Sequence, residues 1–159
     1  MVLHMLVQIP LLLLAGWAAA TWLPRRSAAV LARADPLGLL GATLAACVLT
    51  YWMVPAALDL AVLDKRFGGA KYLSLWLAGL AFAQGWPRLG AVLAAFVLGN
   101  MAWMMVTAGL LYREADVRLC VSYLQDEQAV AGAGLVAWGL VALAAAVVRA
   151  RCKASLEPA

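Results

Sequence analysis

Apolar positions run in long blocks along this chain, separated by short polar punctuation. The first block runs from Leu3 to Leu23 and stops at Pro24, Arg25 and Arg26. Further blocks run from Leu37 to Leu58, Lys71 to Trp86, Leu89 to Leu111 and Ala129 to Val148. A helix that crosses a bilayer needs about 20 predominantly apolar residues. The pattern therefore predicts an all-α fold, a polytopic membrane helical bundle of about five transmembrane helices, with a short third span. One integral membrane domain covers residues 1–159, and a basic tail begins near residue 149.

The breaks between blocks carry their own signals. "RRSAAVLARAD" reads as a short loop or an interfacial turn. Asp35 before Pro36 reads as a helix start, the aspartate as cap and the proline at the first helical position. Gly38 and Gly41 in "GLLGATLAA", and the "AGAG" run, favour close helix packing. Tyr51 and Trp52 fit an interfacial aromatic belt. Asp59, Asp64, Lys65 and Arg66 fit a polar connection, which Gly68-Gly69 breaks. Asp126 and Glu127 suit the start of the last helix through capping and the helix dipole.

Composition strengthens the membrane reading. Hydrophobic residues make up 67% of the chain and charged ones 13%, and mean hydropathy is +0.92. So small a globule cannot bury that much apolar surface, so lipid is the expected solvent. The net charge is +4, but the basic residues are scattered, and no basic run interleaved with aromatics points to nucleic acid. Nothing basic precedes the first block, which favours a retained helix with its N-terminus outside over a cleaved leader. Five spans then leave Arg25, Arg26, Arg33, Arg88, Arg149, Arg151 and Lys153 inside. Lys65, Arg66, Lys71, Arg113 and Arg118 fall outside. This bias favours the N-terminus outside and the C-terminus in the cytoplasm.

That orientation gathers chemistry on one side. His4 and Met5 open the first span, Met53 lies near the outer end of the second, and Met104 and Met105 lie in the outer half of the fourth, with Met101 nearer the midplane. Thioether sulfur with imidazole suits Cu(I). Met101 shares a helix face with Met104 and Met105. Asn100, Met104 and Thr107 form a neighbouring stripe, and Asn100 is expected to face the bundle interior. The competing reading is packing: methionine is a common core filler, and a histidine near an interface is often a snorkelling tip. Asp59 or Asp126 would tune or gate a metal site. Cys47, Cys120 and Cys152 form no CxxC or CxC, and no disulfide is expected between Cys120 and Cys152. No catalytic motif or nucleophile–base pair is present in the sequence, so an enzyme is not expected.

Two stretches carry a family likeness. "HMLVQIPLLLLAG" (His4 to Gly16) and "DEQAVAGAGLVAW" (Asp126 to Trp138) resemble the CtaG-like family of cytochrome c oxidase assembly factors. "YWMVPAALDLAV" echoes a third stretch of that family. The resemblance implies a polytopic membrane protein linked to copper delivery, with oxidase subunits as partners. Residue by residue it points at His4, Met5, Asp126 and Gln128. The family carries more spans and more histidines; here His4 stands alone. Two other readings stay open: a structural subunit of a larger respiratory complex without metal, and a small transporter component in which Gln8, Gln84 and Asn100 line one pathway.

Overall fold

The computed structural model describes residues 2–115 and 125–154, with residues 125, 126 and 152–154 described as backbone only. Every secondary-structure element among the described residues is helical. A π-helical segment, Leu3–Gln8, runs into α1, Ile9–Ala20. Then follow α2 (Arg25–Ala34), α3 (Leu39–Trp52), α4 (Pro55–Leu63), α5 (Lys65–Gly85), α6 (Ala91–Glu114) and α7 (Gln125–Ala154). A single 3-10 turn, Trp86–Arg88, joins α5 to α6.

Among the described residues, three helices are long and apolar enough to cross a membrane: Leu3–Ala20, Ala91–Glu114 and Glu127–Arg151. The pair α2 and α3, bent by 87° at their junction, raises the number to four if it counts as one broken span. By length and composition this supports three to four spans and does not reach the expected five. The second block is cut short because Pro55 has no N–H for the carbonyl of Tyr51, and its ring crowds that carbonyl. The chain turns at Met53 and Val54, and α3 is left with 14 residues. The third block is long enough as α5, with 21 residues. Lys71, Tyr72, Ser74 and Gln84 make it too polar for the same standard.

Three local expectations also change. "RRSAAVLARA" is a helix rather than a loop. Asp35 ends α2, yet its carboxylate still caps the next helix. It accepts from the backbone N–H of Leu40 at 3.1 Å and of Gly41 at 3.0 Å. Pro36 lies in the intervening turn, and Gly38, at φ +73°, supplies the left-handed residue that turn needs. The helix of α5 runs unbroken through Gly68 and Gly69. Asp64 sets its start by accepting from the N–H of Arg66 at 2.8 Å.

The helices assemble as two closely packed pairs. α1 and α5 lie alongside in parallel: His4 is level with Lys71, Leu13 with Gly79, and Ala20 with Gln84. α6 and α7 are antiparallel, and the close approach is made at Gly109 and Gly132. A Cβ on Gly109 would stand 2.6 Å from the carbonyl oxygen of Gly132. α3 runs antiparallel to α5, and Trp52 Nε1 donates to Ser74 Oγ at 2.9 Å. One end of the bundle carries His4, Lys71, Met53 and Tyr112. The opposite end carries α2, Gln84, Arg88 and Arg149.

Candidate functional site

Pro10 explains how the first helix opens. It offers no N–H to the carbonyl of Leu6 one turn back. Trp138 Nε1 from α7 donates to that carbonyl at 3.3 Å, and the preceding turn relaxes into the wider π form. π segments loosen the usual side-chain register and often mark functional sites. Here the segment sends Met5 into the core and His4 and Gln8 towards α5.

Met5 is buried in a cluster with Met53, Leu58, Tyr112, Ala131 and Leu135. Met104 and Met105 of α6 pack against the same cluster. The structure therefore brings together Met5, Met104 and Met105 from the expected ligand set, and adds Met53. Met101 is buried in the adjoining cluster with Ile9, Leu49 and Trp52, and Met104 touches both. A cavity of about 220 Å³ opens in this region, with Met5, Met53, Met105, Leu49, Leu135 and Trp138 in its walls. Met104 Sδ accepts from the Thr50 hydroxyl at 2.8 Å.

Hydrogen bonds tie this end of the bundle together. Tyr112 OH donates to the Met53 carbonyl oxygen at 2.9 Å, in a buried position. Gln128 Nε2 donates to the Tyr112 carbonyl oxygen at 3.2 Å. The Met53 carbonyl belongs to the break ahead of Pro55, where backbone acceptors lose their helical donors. Tyr112 thus repairs the break and fixes Met53 against Met5.

His4 is placed differently from its neighbour. Its Nε2 lies 3.3 Å from Lys71 Nζ, which also donates to Gln8 Oε1 at 3.0 Å. Gln8 Nε2 donates in turn to Tyr72 OH at 3.2 Å. Lys71 is 1% exposed. A cation approaching His4 Nε2 meets the lysine ammonium, and like charges at that range repel strongly away from water. Lys71 is the residue that hydropathy alone mislocates, since it reads as the edge of a span.

The Asp126 side chain is outside the described residues, as are Cys120 and the Cys152 side chain. Asp59 is half-buried on α4, and Cys47 is exposed on α3. Asn100 is exposed on α6 rather than turned to the interior. The Thr107 hydroxyl donates to the Trp103 carbonyl of its own helix at 2.8 Å. Gln84 Nε2 donates to the Ala20 carbonyl at 3.0 Å, at the end opposite Gln8. Asn100 is therefore not turned inward alongside Gln8 and Gln84. Among the described residues, no three His, Cys, Asp or Glu side chains gather as a metal site. Thioether sulfurs are soft donors, and where they gather they suit a soft monovalent cation.

No protein-family model, curated protein or solved structure matches the chain.

Proposed function

We propose that this chain is a multi-pass inner-membrane protein that handles Cu(I) at its outer face and assists assembly of a respiratory oxidase. The observation that carries the copper part is the meeting of Met5, Met53, Met104 and Met105 in one cluster, with Met5, Met53 and Met105 lining an apolar cavity. Thioethers bind Cu(I) without losing a proton, so a dry site suits them. Three separate stretches supply these sulfurs, the π segment, the turn after α3 and α6, which holds them in a fixed arrangement rather than as neighbours on one helix. In this reading the working ligands are sulfurs, and His4 serves Lys71. Met101, in the next cluster along α6, offers a second station. The oxidase link rests on the resemblance of the two stretches quoted above. α5, parallel to α1 and close-packed against it, counts as a further span shielded by its neighbours. That gives five spans, the N-terminus outside and the C-terminus cytoplasmic.

A competition titration tests the copper reading. The detergent-solubilised protein is titrated under reducing conditions against a chromophoric Cu(I) chelator. Wild type takes up Cu(I), and Met53→Leu with Met104→Leu weakens uptake by about tenfold or more, since each lost donor removes a metal–ligand bond. Leucine keeps the packing volume nearly unchanged. A wild-type protein that takes up no Cu(I) contradicts the reading.

A second reading is an accessory subunit packed against a larger membrane complex. Asn100 favours it. This amide sits exposed on α6 between Phe96 and Trp103, each 72% exposed. An amide at membrane depth gains most when another helix supplies its partner. Co-purification with an oxidase whose copper content is unchanged when this chain is deleted would select this reading over the first.

A further inference from the structure

We propose that α2 lies in the headgroup layer of the bilayer and binds anionic phospholipid, with Arg25, Arg26 and Arg33 as its phosphate-facing side. The inference rests on the membrane reading of the fold and is independent of copper. At about 3.6 residues per turn, the three arginines fall on one side of α2, and Ala28, Leu31 and Ala34 on the other. Leu31 and Ala34 face α3 and α5, where they line a groove of about 150 Å³ with Leu40, Leu44, Gln84 and Arg88. No residue of α2 is buried, and the helix is turned 87° from α3. If α3 crosses the bilayer, α2 lies along its surface. Trp22, just ahead of α2, is 88% exposed, as an interfacial anchor would be. A basic amphipathic helix in this posture sits at the boundary of headgroups and acyl chains.

Charge complementarity names the occupant. Arg88, Arg149 and Arg151 stand at the same end of the bundle as the α2 arginines. Arg88 Nε is held by the Asp35 carbonyl oxygen at 2.8 Å. Arg149 stacks on Trp86 with its guanidinium carbon 4.1 Å from the ring centre. Its Nε is buried without a hydrogen-bond partner. Of the described acidic residues, only Asp35 lies at this end, and its carboxylate is taken by the N–H groups of Leu40 and Gly41. Among the described residues, the α2 arginines and Arg88 thus present positive charge with no acidic side chain left to neutralise it. A lipid phosphate meets the arginines while the apolar groove beneath receives part of an acyl chain.

The test reads lipid selectivity. The full chain is reconstituted in nanodiscs of mixed phosphatidylcholine and phosphatidylglycerol, released into mild detergent, and its retained lipids are counted by native mass spectrometry. Wild type retains phosphatidylglycerol over phosphatidylcholine by about tenfold or more relative to the mixture. The exposed triple variant Arg25→Gln, Arg26→Gln, Arg33→Gln falls back to the composition of the mixture. The corresponding triple lysine variant keeps most of the preference, and circular dichroism verifies that each variant is folded. An unselective wild type, or a glutamine variant with undiminished preference, overturns the proposal. So does loss of the preference to free glycerol 3-phosphate, which would mark a soluble-anion site. Extraction of the native protein by alkaline carbonate removes the membrane premise itself, and the proposal with it.

Discussion

At the scale of single residues, Lys71 sets the demands. A buried ammonium is tolerated when hydrogen bonds replace its lost water, and here Gln8 and His4 provide them. Gln8→Leu removes an acceptor but leaves the charge, so thermal unfolding in detergent should show a loss of about 1–3 kcal/mol. Adding Lys71→Met to that variant should recover part of the loss, because no buried charge then remains unsolvated. Strictly additive losses would count against the network. Tyr112→Phe deletes the donor to the Met53 carbonyl and should cost about 1–3 kcal/mol in the same assay. Neither residue announces its role in the sequence. Lys71 reads as the edge of a span because hydropathy is local, while its partners lie 67 and 63 residues away. Met5 and Met53 were legible as members of a one-sided layer, since depth follows from helix alternation alone.

At the scale of elements, the junctions decide the architecture. Pro10 and Trp138 form a matched pair: one removes a helical donor to Leu6, and the other replaces it. Trp138→Phe should cost about 1 kcal/mol on its own, and less when Pro10→Ala restores the backbone donor. A double-mutant cycle measures the difference, and zero coupling would break the account. The α6–α7 pair depends on Gly109 meeting Gly132. Gly109→Val should destabilise by about 1–3 kcal/mol, because backbone lies where the side chain would go. Close packing at "AGAG" was legible, since small residues admit close approach. The break at Pro55 and the helix of α2 were not read correctly. A proline in an apolar run resembles a tolerated kink, and the alternation of arginine with alanine and leucine that makes α2 amphipathic resembles a polar loop by composition.

At the scale of the whole molecule, the bundle separates two chemistries. The end that holds His4 and Lys71 carries the thioether cluster and most of the described acidic residues. The opposite end is arginine-rich and carries the surface helix. Three of the expected spans are present as long apolar helices, and the bent and polar ones depend on neighbours that hydropathy cannot see. In the proposed copper role, sulfur rather than imidazole is the donor that meets Cu(I). X-ray absorption spectroscopy on the reduced, copper-loaded protein reads the donors directly. A first shell of sulfur is expected, unchanged in His4→Ala and diminished in Met53→Leu. A first shell containing nitrogen that disappears in His4→Ala would contradict it.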